Sequence, residues 1–424
     1  MSLDKKQLLK TLGPGLLFAS TCIGTSHLVL ATRAGAHYGM IYFWVILFAH
    51  LLKYPFYEFG PRYANATGFS LLTGYREQGK WAVYLFLLII LISMFAVNAA
   101  TAAVSAGLLS TLLGLSGVIS VPMLSGIILA ISTVLLLVGG YAGLDAIIKI
   151  ISIVLLVTVC VAFGAVLIKG PVTPTADFQA PDLLDAAGLG LLIGLIGWMP
   201  TGMEVSTMNS IWNVEKTKST GYYPKLKETL ADYNIGYILS TVLGLMFLVI
   251  GAFTVYGSGE LLTGNATQFT QQLLSVFTTN LGQWSYYVVA IAAFGTIYGT
   301  LLTILDAFPR CFVGGLRVLK YEHTEQNEEQ ISFLQKSYRI TVITLGLGAF
   351  LLFYFSAAGM VKLLDVVTII SFLVSPFIAY FNLKAIQSSR VPESHKPSPW
   401  MIILSYIGLA FLVGFALFYV STKF

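Results

Sequence analysis

The sequence predicts an all-α integral membrane protein with eleven transmembrane helices, and three observations predict it. Hydrophobic residues fill 57% of the 424 positions and charged residues only 10%, where soluble domains carry about 25% charged. Mean hydropathy is +0.82. Apolar runs recur at 11–38, 40–63, 81–112, 118–138, 143–168, 184–211, 232–257, 283–308, 336–356, 360–384 and 398–421. Each suffices for a ~30 Å hydrocarbon core, which takes about 20 helical residues. These features argue against a water-soluble enzyme, a nucleic-acid binder and a disordered chain. The net charge of +5 is spread over short loops and not gathered on one face. Cys22, Cys160 and Cys311 all fall in apolar runs, which argues against a disulfide framework.

The first run is long and interrupted and lacks a small-residue cleavage site, so it reads as a span and not as a cleaved signal peptide. The Lys/Arg census sets the topology. With the N-terminus inside, Arg33, Lys169, Lys362 and Lys423 fall outside and Lys53 lies within the second span. The remaining 19 of 24, among them Lys5, Lys6, Lys10, Arg62, Arg76, Lys216, Arg310 and Lys320, fall on or near the inside. A multi-pass protein of a cell membrane follows, with a cytoplasmic N-terminus and an outside C-terminus. The acid-rich stretch 321–329 is then a solvated cytoplasmic loop.

Two runs are interrupted near their midpoints. The first reads Cys22-Ile23-Gly24-Thr25-Ser26-His27, and the sixth Trp198-Met199-Pro200-Thr201-Gly202-Met203-Glu204. Gly, Thr, Ser and Pro lower helix preference, and Pro200 removes a backbone donor. Unwound backbone at membrane depth persists only where it lines a cavity or is buried in protein. Spans one and six hold corresponding positions in two five-span halves. Interruptions at matching positions point to a transporter's binding site. Ordinary Gly/Pro kinks are the alternative for either break alone. The expected organisation is a five-helix repeat over 1–170, a second, inverted one over 180–386, and an added helix at 398–421.

The second span holds His50, Lys53 and Glu58. Lys53 is a tethered cation that could stand in for a coupling ion, or it snorkels to the end of the span and pairs with Glu58. Glu204 is the isolated acid just beyond the second break. It either handles substrate or protons, or caps the half-helix start. His27 is a candidate ligand or proton carrier, or a structural group bonded to a loop carbonyl. With Met199 and Cys22, these two make a mixed N/O/S set that suits a transition ion; Cys22 alone reads as packing. Asp306 and Arg310 have the favourable i, i+4 spacing, while Asp365 stands isolated near the outer end of span ten. No Walker loop, HExxH or CxxC is present, so no ATP motor and no catalytic constellation is expected.

Residues across nearly the whole chain resemble the Nramp family of divalent-metal transporters. They are LGPGLLFASTCIG from Leu12, AGAHYGM from Ala34, RYANATG from Arg62, the pair Met199-Pro200, LKETLADYN from Leu226 and SPF from Ser375. The resemblance implies the inverted 5+5 repeat of the amino-acid transporter type, with helices 1 and 6 broken. It implies a divalent metal ion as substrate, no cofactor, no ATP and no nucleic-acid partner. The family has Asp-Pro-Gly-Asn at its first break, where this chain has Gly24, Thr25, Ser26 and His27. It has Met-Pro-His-Asn at the second, where this chain has Met199, Pro200, Thr201 and Gly202. Two third-helix carboxylates of the family correspond to Asn98 and Thr101, and a tenth-helix Gln to Thr368.

The first-break carboxylate is therefore missing, and the usual proton coupling is not expected. The implied substrate site comprises Gly24, Thr25, His27, Met199, Thr201, Glu204 and Thr368, with His27, Met199 and Glu204 as metal ligands. His50, Lys53, Glu58, Asn98 and Thr101 are coupling or gating candidates. Two alternatives stay open. One is a transporter of a small organic or amino-acid-like solute, held through the Gly24–Ser26 backbone. The other is a non-transporting membrane sensor.

Overall fold

The structure is a computed structural model that describes residues 11–183, 185–259, 285–321, 328–356 and 359–421, with eight residues between 270 and 283. Lys5, Lys6, Lys10, Lys423, the side chain of Lys362 and most of the 321–329 stretch lie outside the described residues. All regular structure among the described residues is helical. Nine helical stretches among them are long and apolar enough to cross a membrane, and Ala187–Trp198 is a shorter apolar helix.

Helix α1 (Pro14–Cys22) opens at a proline, whose missing amide hydrogen is no loss in a first turn. After Cys22 the chain turns and continues as a π-helical segment, Thr25–Ala31, then as α2 (Thr32–Tyr38). Helix α3 (Tyr42–Thr67) runs through Pro55 and Pro61 and stops at Gly68, whose φ of 73° is the left-handed conformation that ends helices. Helices α4 (Leu71–Glu77) and α5 (Lys80–Leu112) follow, then α6 (Val121–Lys169). Helix α7 (Ala186–Trp198) starts at Asp185, whose carboxylate accepts the Gly188 amide at 2.6 Å. The chain leaves helical geometry at Met199 and resumes as α8 (Val205–Thr220). The rest is α9 (Leu226–Thr254), α10 (Ser285–Lys320), α11 (Glu328–Phe355), α12 (Gly359–Ile386) and α13 (Pro399–Ser421).

The sequence predicts two spans at 118–138 and 143–168, and the structure has both, Val121–Gly139 and Ala146–Lys169, without an interruption in the helix between them. Helical hydrogen bonding continues through the connection, so both belong to α6. The element still reverses direction. Ser132 approaches Tyr298 (3.4 Å, hydroxyl to hydroxyl), while Ile148 lies beside Gly299. Along a straight helix Ser132 and Ile148 would stand ~24 Å apart, yet they meet adjacent residues of α10. Gly139 and Gly143 sit in open space at the reversal, where a chain without bulk bends most easily.

Burial separates the inner helices from the periphery. The apolar core of the 14–67 stretch is 94% buried, that of α13 only 22%. The outer faces of α6 and α13 carry Ile150, Ile153, Val157, Ile403 and Leu417 exposed, as a surface in contact with lipid tails requires. Helix α1 packs on α9, α3 on α8, α10 on α5 and α6, and α12 on α7. The α1–α9 crossing is tight: a side chain at Gly15 would strike the Asp232 carbonyl, and one at Gly236 the Gly15 carbonyl. Small residues let the two backbones touch, the usual device where lipid removes the hydrophobic drive to associate.

Candidate functional site

Each interruption frees carbonyls that a continuous helix would have used, and at membrane depth these need donors. At the first break, Thr300 of α10 donates to the Ser20 carbonyl at 2.7 Å and Ser26 donates to the Cys22 carbonyl. At the second break the donors come chiefly from α3. The Lys53 ammonium donates to the carbonyls of Gly197 at 2.8 Å and Met199 at 3.0 Å. One turn on, the Tyr57 hydroxyl donates to the Thr201 carbonyl. The i, i+4 spacing of Lys53 and Tyr57 puts both on the α3 face that meets the break. Ser26 also reaches the Pro200 carbonyl at 3.4 Å, linking the two breaks.

Lys53 has no exposed surface, and it makes no ion pair among the described residues. The expected partner, Glu58, is bound by Arg62 instead. Arg62 Nε lies 3.0 and 2.9 Å from the two Glu58 oxygens, and Nη2 lies 2.5 Å from Oε1. Arg62 also donates to the His395 carbonyl at 2.9 Å. Glu58 and Arg62 are four apart on α3 and share a face, whereas Lys53 and Glu58 are five apart and do not. The snorkelling alternative for Lys53 is thereby corrected.

The proposed metal residues fall in two places. His27 is fully buried, and both ring nitrogens lie near polar atoms. Nδ1 lies 2.9 Å from Ser26 Oγ, while Nε2 lies 2.9 Å from the Ser240 carbonyl and 3.0 Å from Ser240 Oγ. A carbonyl only accepts, so Nε2 carries the hydrogen. Met199 shares the Gly244 neighbourhood with His27: a Cβ at Gly244 would lie 3.1 Å from the His27 ring and 3.8 Å from Met199 Sδ. His50 packs edge-on against His27, with ring centroids 6.2 Å apart. Its Nδ1 bonds the Ile46 carbonyl at 2.8 Å, and its Nε2 is buried without a partner.

Glu204 lies elsewhere. It lines a cavity of about 30 Å³ with Thr25, Ser26, Thr101, Thr201 and Thr300, and neither His27 nor Met199 lines it. That is the volume share of one water molecule. Glu204 precedes the first residue of α8 but makes no capping hydrogen bond, and its Oε2 is buried without a partner. Gly24 and Gly202 make this space possible. A Cβ at Gly24 would lie 2.7 Å from Thr300 Cβ, and one at Gly202 2.7 Å from the Glu204 carboxyl carbon. Among the described residues, no group of three or more His, Cys, Asp or Glu side chains is arranged to hold a metal.

The remaining candidates are scattered. Asn98 and Thr101 spend a donor each on their own helix, to the Met94 carbonyl at 2.8 Å and the Val97 carbonyl at 2.9 Å. Asn98 Oδ1 stays buried and unpartnered. Thr368 donates to the Asp365 carbonyl at 2.9 Å and packs against Gly194 and Gly197 of α7. Asp306 pairs with Arg310 at 2.7 Å as its spacing predicts, and accepts the Tyr338 hydroxyl at 2.5 Å. Asp365 pairs with Arg33 at 3.3 Å. A second, larger cavity of about 600 Å³ opens at the Arg310 end, lined by Glu215, Lys218, Arg317, Tyr338 and Arg339. None of the candidate site residues lines it.

Two features went unread in the sequence. Asp232 is buried, and its carboxylate accepts the amides of Gly13 at 3.1 Å and Gly15 at 2.7 Å, capping α1. An isolated acid early in an apolar run was the available signal. Asn382 ties three elements together. It accepts from Tyr75 at 2.5 Å and donates to Ser206 at 2.7 Å and the Phe56 carbonyl at 3.0 Å. No sequence pattern marks a contact across three helices.

Comparison with known proteins fits this architecture. An uncharacterized protein of Pasteurella multocida is 32% identical over 415 residues, 97% of this chain and 92% of that protein. A divalent metal cation transporter of Staphylococcus saprophyticus is 25% identical over 265 residues, 59% of this chain and 57% of its own length. A histidine-to-alanine mutant of the manganese transporter of Eremococcus coleocola superimposes with a TM-score of 0.73 at 14% identity, covering all of this chain and 89% of the other. A nucleobase-cation-symport-1 family transporter, closed around bromovinylhydantoin, superimposes with a TM-score of 0.59 at 14% identity, covering 100% and 96%. A family profile described as natural resistance-associated macrophage protein-like matches residues 15–422. With a relative of that identity along almost its whole length and a family match nearly as long, the chain belongs to the Nramp family of multi-pass membrane transporters, which are not enzymes.

Proposed function

We propose that this protein is a secondary transporter that moves a divalent metal ion by alternating access, without the proton coupling usual in its family. In this reading eleven spans cross the membrane, and spans one and six are broken at Cys22–Gly24 and Met199–Glu204. The repeats 1–170 and 180–386 rock against each other, and the 398–421 helix lies outside them. The end that carries Arg62, Arg310 and Lys320 is cytoplasmic by the positive-inside rule, in a cell membrane. The observation that carries the cargo reading is Glu204. It is a buried carboxylate with a free oxygen, facing a small space between the two breaks.

The cavity lining bears on the ion class. Around Glu204 the oxygen donors are hydroxyls and Met208 adds a thioether, while Met199 and the His27 imidazole lie outside the cavity. A carboxylate, hydroxyls and one thioether together suit Mn²⁺ ahead of Mg²⁺ or Ca²⁺. Glu204 is the ligand in this reading. Thr25, Thr101 and Thr201 line the space beside it, Gly24 packs against Thr300 behind it, and His27, Met199 and Thr368 stand outside the cavity.

A second reading rests on Lys53. A fully buried ammonium beside the second break suits a small organic solute that brings its own carboxylate. Uptake of Mn²⁺ and Mg²⁺ into proteoliposomes decides between them. The metal reading expects uptake that falls at least about tenfold in Glu204→Gln, the loss of one charged ligand. Uptake of neither ion, with accumulation of a small carboxylate, selects the second reading. Binding without flux selects a sensor.

A further inference from the structure

We propose that Lys53 is a built-in cation. Its ammonium fills a carbonyl site at the end of α7 that would otherwise take an inorganic monovalent cation, and so closes the second break without a co-transported ion. The inference rests on the alternating-access reading above and not on the identity of the cargo.

Three observations carry it. First, the partners of Lys53 are carbonyls and not carboxylates. It donates to Gly197 and Met199 at 2.8 and 3.0 Å and makes no ion pair among the described residues. A structural lysine buried in protein ordinarily finds a carboxylate; one solvated by carbonyls is placed as a bound alkali ion is. Second, those carbonyls belong to the last turn of α7 and its first non-helical residue, where the helix dipole is negative. The site has the field that draws a cation whether or not the cation is tethered. Third, three other carbonyls at the breaks already have side-chain donors. Thr300 takes Ser20, Ser26 takes Cys22, and Tyr57 takes Thr201. Lys53 adds Gly197 and Met199 to these.

The ammonium also ties α3 to the second break, across which Ser26 of the first break reaches Pro200. Releasing Lys53 therefore loosens the two breaks together. Cys22 sits at the end of α1 with no exposed surface, so its reaction with a water-soluble thiol reagent reports that loosening. Cys160 and Cys311, the other two free cysteines, are changed to Ser so that Cys22 alone is read.

In this background the wild-type Lys53 should leave Cys22 slow to label, at a rate indifferent to Na⁺, K⁺ or n-propylammonium. Lys53→Ala should speed labelling at least about tenfold, the equivalent of ~1.4 kcal/mol. Na⁺ or n-propylammonium should restore slow labelling, because the truncated side chain leaves room for a free cation on the same carbonyls. Lys53→Met should also label fast, but without rescue, since its side chain fills the space. A merely structural lysine would give instability in both variants and rescue in neither. The proposal is overturned if both variants label like the parent, or if no cation slows the alanine variant. It is equally overturned if the parent with Lys53 intact needs Na⁺ to stay closed, a test that holds even where the variants do not fold. The readout is exposure and not flux, so a failure here leaves the cargo test standing, and a failure of metal uptake leaves this one standing.

Discussion

Asp232→Asn should loosen the docking of the first half-helix, and the size of the effect follows from two hydrogen bonds. The Asp232 carboxylate accepts the Gly13 and Gly15 amides at 3.1 and 2.7 Å at the buried start of α1. A hydrogen bond to a charged group contributes ~1.5–3 kcal/mol. Asparagine keeps one oxygen acceptor and turns an amide donor toward the other N–H. One bond is lost, the other loses its charge, and the total is ~2–3 kcal/mol by the same measure. Asp232→Ala leaves both amides buried without an acceptor and should cost ~3–5 kcal/mol. Gly236→Ala, one turn along α9, provides the steric comparison, because its methyl would strike the Gly15 carbonyl. Thermal and denaturant unfolding in detergent, followed by tryptophan fluorescence, would order the variants as wild type, Asp232→Asn, Asp232→Ala. If Asp232→Asn lies within ~0.5 kcal/mol of wild type, typical of a surface substitution, the carboxylate is not what holds α1.

Four shorter predictions follow from the site. Gly24→Ala, whose Cβ would lie 2.7 Å from that of Thr300, should abolish transport while the protein still reaches the membrane; normal uptake would place the break elsewhere. Gly202→Ala pushes the Glu204 carboxyl, 2.7 Å from the new Cβ, and should weaken cargo binding without the loss of charge that Glu204→Gln brings; titration of bound cargo by calorimetry compares the two. Glu58→Gln leaves the Arg62 guanidinium with a weakened partner and should cost ~1–3 kcal/mol of unfolding stability with little change in cargo affinity. An acid-outside pH gradient should change initial uptake less than about twofold, since the third-helix positions are Asn98 and Thr101 and carry no proton relay. Strong acid stimulation would contradict that.

The fold was legible because membrane helices announce themselves by length and apolarity, and the interruptions at Gly24 and Met199-Pro200 stand out against them. The site was legible in its residues and not in its pairings. Lys53 illustrates why. Its five-residue spacing from Glu58 is not that of one helix face, and the sequence says nothing of a broken helix end on another segment. Glu58 instead found Arg62 at the regular i, i+4 spacing, which local geometry makes cheap. His27, Met199 and Glu204 lie near breaks that face each other, and nearness in sequence to a break was read as nearness to one point. Which side of an unwound segment a side chain takes is set by neighbours such as Ser240 of α9 and Thr300 of α10, on other helices. The continuity of α6 through its reversal failed to show for a different reason. Gly139 and Gly143 mark a bend in sequence, but helical hydrogen bonding survives a bend, so a gap between spans need not be a gap between helices.

The two charges at the second break also separate the cargo readings by sign. Glu204 and Lys53 act on each other across the break, and together they leave it formally neutral. A divalent cation bound at Glu204 is repelled by the ammonium, and a carboxylate cargo is attracted by it. Lys53→Met removes the charge and keeps most of the volume. If it releases the latch, it does so for either cargo alike. Measured against Glu204→Gln in the same preparation, the pair of variants then moves in opposite directions. A metal cargo binds Glu204→Gln more weakly and Lys53→Met relatively more tightly. A carboxylate cargo shows the reverse order, because Glu204→Gln removes a repulsion and Lys53→Met an attraction. Equal weakening of both ions and acids in both variants would mean that neither charge meets the cargo, and the small hydroxyl-lined cavity would lose its claim to be the transport site.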